Sequence, residues 1–337
     1  MFDDMGSPVG LLHEALDALG ALLQENAEAD KFSGVVLVAK GGKVVFERAA
    51  GLADRDKKVA ITRDTRFRLG SMNKMFTTVA ILQLMEAGKL GLDDPIGKHL
   101  TDYPNKELAA KATVRHLLTH SGGTGDFFGP EFAEKRLTLR VHDDYLKLFG
   151  ERAPAFEPGS QRAYSNYGFI LLGALIEKLS GMSYYDYVDR KVYAPAGMKR
   201  TGSLPESDEV EGRAVGYMKE NGAWVRNDDT LPWRGMAAGG GYSTAPDLLR
   251  FAQALESGKL ISKESLRLAT SPPGLGFFAS GEGPVRTYGH AGGANGMNGD
   301  LRIYPELGIV VIALGNVDPP AAERLSDYFA RRMPVAN

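Results

Sequence analysis

Ser71 and Lys74 stand three positions apart in the run Leu69-Gly70-Ser71-Met72-Asn73-Lys74-Met75-Phe76-Thr77-Thr78-Val79-Ala80-Ile81-Leu82-Gln83-Leu84-Met85. A serine hydroxyl is a weak nucleophile until a base takes its proton, and a lysine can be that base only once it is deprotonated. Apolar residues recur at Met72, Met75, Phe76, Val79, Leu82 and Met85, in steps of three and four, and Gly88 is a stop signal; the pattern predicts one long helix. On a helix, positions 71 and 74 share a face about a turn apart. Lys74 is the only charged residue between Ser71 and Met85, which predicts a helix buried on most sides. Burial disfavours the ammonium and should lower the pKa of Lys74 toward the range where it accepts a proton. The positive end of the helix dipole would favour negative charge developing near Ser71. The chain holds 17 Ser and 18 Lys, so about one Ser-x-x-Lys arises by chance and the pair needs partners to mean anything.

Two further segments carry suitable residues. Glu157-Pro158-Gly159-Ser160 reads as a turn, and the apolar run after Tyr167 as a helix. Tyr164-Ser165-Asn166 then lies in the loop feeding that helix, where side chains can point into a cleft; alternatively Ser165 or Asn166 simply caps the helix and Tyr164 packs. In Tyr288-Gly289-His290-Ala291-Gly292-Gly293-Ala294-Asn295-Gly296, a strand is expected to end in a Gly-rich segment. Such a segment can approach a ligand closely and offer a free N–H as an oxyanion donor, or can be an ordinary turn.

The elements that must position these residues are legible in outline. Val9 to Glu28 has leucines at helical spacing. Gly34–Lys40 and Lys43–Arg48 around Gly41-Gly42 predict a β-hairpin. From about Leu92 to Gly212 short helical patterns dominate: Val114 to Thr119, Glu131 to Phe149, Tyr167 to Leu179 and Tyr184 to Val192. Strands return at Val215 to Lys219, Ala223 to Arg226, Pro284 to Tyr288, Asp300 to Tyr304 and Gly308 to Leu314, with helices at Pro246 to Leu255, capped by Ser243 or Thr244, and at about Pro320 to Arg332. The expected fold class is α/β plus α: a largely antiparallel sheet from both chain termini flanked by helices, with an inserted mainly helical domain. The expected boundaries are 9–92 and 213–337 for the discontinuous α/β domain and 93–212 for the helical one, with Ser71 at their seam.

Apolar residues make up 43% and charged residues 24% of the 337, enough for a sizeable core. A net charge of −2 without a Lys/Arg block gives no reason to expect nucleic acid as partner. With no Cys, disulfides, thiolate metal sites and a Cys nucleophile are excluded. No apolar run approaches the roughly 20 residues of a membrane helix. Met1-Phe2-Asp3-Asp4 is acidic and shows no signal peptide, so the cytoplasm is favoured slightly over the periplasm; a leader already removed would leave the same sequence.

Ser71-Met-Asn-Lys74, Tyr164-Ser-Asn166 and His290-Ala-Gly292 together resemble the three signature motifs of the serine β-lactamase and penicillin-binding-protein superfamily. The likeness is greatest to the branch of class C β-lactamases, D,D-peptidases and family VIII carboxylesterases. Val114-Arg-His-Leu-Leu-Thr-His-Ser-Gly122, Phe156-x-Pro-Gly159 and Ala238-Gly-Gly-Gly-Tyr-Ser-Thr-Ala-Pro-Asp-Leu248 fit the same pattern, so the resemblance runs from about Gly34 to Leu314. It implies a β-lactamase/transpeptidase-like fold and an acyl-enzyme on Ser71, formed and hydrolysed without cofactor or metal. By the same resemblance Lys74 is the base and Tyr164 the proton shuttle, the order of the two being open. Asn166 hydrogen-bonds a substrate carbonyl or orients Lys74, and the N–H groups of Ser71 and Gly293, just past Gly292, form the oxyanion hole.

The third motif departs from the β-lactamases, which carry Lys where this chain has His290. A histidine is charged only in part near neutral pH and anchors a substrate carboxylate less well. The resemblance therefore ranks a carboxylesterase first, a D,D-peptidase or amidase second and a non-turnover penicillin-binding sensor third. The implied partner is a small-molecule ester, amide or β-lactam; the oligomeric state is not legible. Asp126, Phe127, Phe128, Trp233 and Tyr242 are pocket-lining candidates, each with core or surface packing as the plain alternative. No Gly-x-Ser-x-Gly elbow, Gly-x-Gly-x-x-Gly or Walker loop occurs. His116 and His120 are spaced to chelate a metal on a helix, but no carboxylate completes the pattern, and a structural helix end is the reading preferred. His13, His99 and His142 read as surface.

Overall fold

The computed structural model describes residues 11–334. The expected helix start at Val9, and the parts of the domain boundaries beyond those limits, fall outside the described residues. Five helices have twelve residues or more: α1 (Leu12–Glu28), α2 (Lys74–Glu86), α3 (Asn166–Ser180), α4 (Ala245–Glu256) and α5 (Ala321–Arg332).

Six strands form the main sheet: β1 (Gly34–Lys40), β2 (Lys43–Ala50), β3 (Phe278–Ser280), β4 (Thr287–Ala294), β5 (Met297–Tyr304) and β6 (Ile309–Gly315). All pairs are antiparallel, in the spatial order β2-β1-β6-β5-β4-β3. The join between the two ends of the chain is β1 on β6, in register from Gly34 opposite Gly315 to Lys40 opposite Ile309. Gly41 and Gly42 both have positive φ, as the tight turn from β1 to β2 requires.

The apolar runs of β1 and β6 are buried on both faces. Val36, Val38, Val311 and Ala313 pack with Leu19 and Leu23 of α1 and with Leu325 and Phe329 of α5. On the opposite face, Val35, Leu37, Ile312 and Leu314 join Met75, Phe76 and Val79 of α2 and Leu248, Phe251 and Leu255 of α4. That cluster continues without a break into Phe169, Leu172 and Ile176 of α3 and into Tyr145 and Phe149. We propose that residues 93–212 are a helical insertion sharing its core with the sheet, which holds the seam at Ser71 rigid.

Three local readings are corrected. His290-Ala291-Gly292-Gly293 is not a turn after a strand: β4 runs through it to Ala294, paired residue by residue with β5. Glycines there weaken a strand signal in sequence, but the ladder with β5 holds the extended chain. The expected strand at 284–288 begins only at Thr287, because Gly283–Val285, with Pro284, is a 3-10 turn. The pattern from Glu131 to Phe149 is two helices, Pro130–Lys135 and His142–Phe149. Short helices at Lys106–Lys111 and Lys263–Ala269 were not expected.

Phe329 is fully buried between α5 and the sheet. Phe329→Ala is expected to cost about 3–5 kcal/mol of unfolding free energy, read as a lower midpoint in urea, with the chemistry of the protein that stays folded unchanged.

Candidate active site

Ser71 lies in a one-turn 3-10 helix, Gly70–Asn73, that feeds directly into α2. This turn is wedged against β4. A Cβ on Gly292 would stand 2.1 Å from the Leu69 carbonyl oxygen and 3.0 Å from the Ser71 nitrogen, so glycine there is what lets strand and turn meet. A Cβ on Gly70 would likewise stand 3.2 Å from the Gly293 nitrogen, which places the Gly293 amide beside the nucleophile turn. From the other side, the segment Met236–Gly241 wraps the same turn, with the Gly240 N–H donating to the Gly70 carbonyl at 3.0 Å.

Lys74 is completely buried at the first position of α2. Its Nζ lies 3.1 Å from Ser71 Oγ, 2.7 Å from Asn166 Oδ1 and 2.5 Å from the Ala238 carbonyl oxygen. It also sits over the rings of Tyr164 and Phe169, 4.8 and 5.4 Å from their centroids. Burial is the main influence on this amine; it pulls the pKa down to about 7, against a smaller upward effect of the Asp126 carboxylate. The three partners are not equivalent. The Ala238 carbonyl can only accept. Asn166 presents its Oδ1 because its Nδ2 donates to Asp126 at 2.9 Å, so it too accepts. Once Lys74 loses a proton, its two remaining N–H groups satisfy these acceptors and its lone pair is left facing the Ser71 hydroxyl, the one partner able to donate.

Tyr164 precedes the Ser165 cap of α3, whose Oγ accepts the Gly168 N–H at 2.9 Å. The two sequence alternatives are therefore both realised, on adjacent residues. Tyr164 is 43% exposed, with its hydroxyl near enough to Ser71 for that side chain to act on its ionisation. Desolvation pushes its pKa up to about 12, offset in part by Ser71.

His290 is buried on β4, stacked on Phe278 at 4.1 Å between centroids. Its Nδ1–H donates to the Ala291 carbonyl, which leaves Nε2 as an acceptor, buried and without a protein partner. Burial and then the charge on Lys74 push its pKa down to about 3. The expected partial charge is thus corrected: this imidazole is neutral throughout the physiological range.

A model of the Beta-lactamase family matches residues 19–333. The chain belongs to the beta-lactamase family of serine hydrolases. It is 32% identical over 269 residues to "Penicillin-binding protein 4*" of Bacillus subtilis (strain 168), covering 75% of this chain and 59% of that protein's length. It is 29% identical to "Esterase EstB" of Burkholderia gladioli over 291 residues, covering 76% of this chain and 74% of the esterase. The crystal structure of a penicillin-binding protein from Bacillus halodurans superposes with a TM-score of 0.82 at 29% identity, covering 94% of this chain and 98% of that one. The fold is therefore the β-lactamase/transpeptidase-like one.

The pocket candidates of this family member divide. Asp126 reaches the site: it orients Asn166, accepts the Tyr167 N–H at 3.3 Å and acts on Lys74 through its charge. Phe127 belongs to the core, packed among Phe132, Tyr145 and Phe149, while Phe128 beside it is 62% exposed. Trp233 lies under Arg140, and Tyr242 pairs with Arg68 and packs its ring against Gly202.

The histidines read as surface need correcting in two cases. His142 is fully buried, its Nδ1 against Glu177 and its Nε2 accepting the Ala237 N–H, and His99 pairs with Asp94 at 2.8 Å. His116 closes a capping box with Thr113, and among the described residues no cluster of His, Asp or Glu is placed to hold a metal ion. Two contributors escaped the sequence reading. The Ala238 carbonyl has no side-chain signal at all. His120, read as a helix end, stacks on Tyr164.

Because the Asp126 carboxylate raises the Lys74 pKa, Asp126→Asn should move the acid limb of the kcat/KM profile to lower pH, as followed with a p-nitrophenyl ester. An unmoved limb would mean that Asp126 does not act on the group that titrates.

Proposed function

We propose that this chain is a serine hydrolase working through an acyl-enzyme, with short-chain or aryl carboxylic esters as its preferred substrates. The observation that carries the reading is the amine of Lys74, held free of water with acceptors on two sides and the Ser71 hydroxyl on the third. With a pKa near about 7 for Lys74 and about 12 for Tyr164, the amine is the better first base at neutral pH. Lys74 takes the proton as Ser71 Oγ bonds to the carbonyl carbon. The N–H groups of Ser71 and Gly293 receive the oxyanion, a role supported by the packing of Gly292 and Gly293 on the nucleophile turn. As the tetrahedral intermediate collapses, the ester C–O bond breaks and the leaving alkoxide collects the proton by way of the Tyr164 hydroxyl. Water then adds to the acyl carbonyl, its proton returns by the same groups, and Ser71 is released with the free acid.

Preference for esters over carboxylate-bearing substrates is supported by His290. A neutral ring whose Nδ1–H is taken by the Ala291 carbonyl and whose buried Nε2 is an acceptor offers a carboxylate neither charge nor donor. The relative named as an esterase points the same way. The alternative is a D-alanyl-D-alanine carboxypeptidase or related amidase, favoured by the likeness to proteins named as penicillin-binding.

A p-nitrophenyl ester, a D-Ala-D-Ala peptide and a chromogenic cephalosporin offered to one preparation rank these readings by kcat/KM. Turnover of the peptide alone would overturn the ester preference, and a single stoichiometric burst would indicate a sensor that acylates without release. Ser71→Ala should abolish every activity, and Lys74→Ala should lower kcat by about 1,000-fold or more.

Below the pKa of Lys74 the amine is protonated and cannot accept, so kcat/KM should fall about tenfold per pH unit below about 7. Tyr164, at about 12, stays protonated and should give no basic limb below pH 10. A profile flat from pH 5 to 8 would exclude Lys74 as the base. His290→Lys should raise the relative kcat/KM of carboxylate-bearing substrates, measured on the same three compounds.

A further inference from the structure

The Tyr164 ring is half open to solvent and sits in a loop, yet the reading above needs its hydroxyl held at Ser71. What lies behind it is His120. This residue has φ of +57°, in the left-handed region that a few side chains, histidine among them, adopt at a cost. The twist is tied down twice to the Tyr164 loop: the His120 carbonyl accepts the Ala163 N–H at 2.8 Å, and its Nδ1 accepts the Ser165 N–H at 3.1 Å. Between those two bonds the imidazole lies on the Tyr164 ring, 4.3 Å between centroids and 26° between planes. Phe169 of α3 backs it at 5.3 Å. Carbonyl, ring and ring nitrogen of one residue thus engage three consecutive residues, the middle one being Tyr164.

We propose that His120 is a positioning residue for the proposed hydrolysis, a clamp that holds the Tyr164 phenol in register with Ser71 and Lys74; the inference rests on the reading of Tyr164 as proton relay. The loop around the clamp is stiffened by Thr124, whose hydroxyl meets that of Ser165 at 2.8 Å, and by Asp126 on Asn166. His120 also has to remain uncharged so close to Lys74. Burial first, and the Lys74 charge second, push its pKa down to about 3, so the clamp does not loosen by protonation at any pH where the lysine could act.

The test is a double-mutant cycle read by the second-order rate at which a fluorophosphonate labels Ser71, which does not depend on the substrate class. His120→Asn keeps an acceptor for the Ser165 amide and a residue type that tolerates the left-handed region, and removes only the ring. It should slow labelling by about 10- to 100-fold in the native background and by less than about twofold in Tyr164→Phe, because the ring acts through the phenol. His120→Gly relieves the backbone twist and lacks the ring as well; it should slow labelling at least as much, and it carries the test if the Asn variant does not fold, with thermal melts verifying both. An equal slowing in both backgrounds, or none in the native one, would overturn the clamp while leaving Tyr164 as relay. Native-speed labelling of Tyr164→Phe would instead remove the relay and the clamp with it.

Discussion

An amine taken wholly out of water is the constraint around which the site is built. Lys74 occupies the first turn of a helix buried over most of its length, and Asn166 at the start of α3 and the 236–241 segment close over it. Removing the ammonium from water carries a cost that the protein does not cancel with a contacting carboxylate. Neutral acceptors take that place, one a backbone carbonyl and one an amide whose orientation is dictated by Asp126. The result is a group that can give up its proton near neutrality and that, having done so, has a single direction in which to look for another. Desolvation supplies the basicity and acceptor geometry supplies the aim.

The neighbours of that amine follow from the same economy of charge. His120 and His290 both lie near Lys74, both are buried, and both are driven to the neutral form. Tyr164 keeps its proton because desolvation of its hydroxyl raises its pKa. Asp126 is the one carboxylate acting on Lys74, and it is held at one remove by Asn166.

Backbone contacts make this arrangement possible. The Ser71 turn touches β4 where Gly292 leaves room, and the Gly293 amide comes to lie beside it because β4 continues as a strand through its glycines. The sheet that carries β4 is assembled from opposite ends of the chain, with β1 bound to β6 over its full length. The position of the Gly293 amide beside Ser71 therefore depends on contacts made nearly three hundred residues apart, and the hydrophobic core runs without a break from α2 into α3.

Much of this was legible in one dimension, for local reasons. Hydrophobic periodicity marked α2 and α3, an apolar run ending in a Gly-Gly turn marked the β1–β2 hairpin, and a lone lysine in an apolar helix announced its own lowered pKa. The spacing of Ser71 and Lys74 fixes their neighbourhood on any helix, since a turn of helix is a property of the backbone. The motif around Tyr164 could be noticed but not given a direction, and the strand was expected to end before Gly292 and Gly293 because glycines carry no strand preference of their own. What only the folded molecule decided are the contacts between segments distant in sequence: the Ala238 carbonyl on Lys74, the Asp126 carboxylate on Asn166, the His120 ring on Tyr164, and the neutrality of His290. Each depends on burial and on the approach of a second segment. Neither leaves a periodic trace in the chain, because protonation state and hydrogen-bond direction are set by what surrounds a group in space and not by what precedes it in sequence.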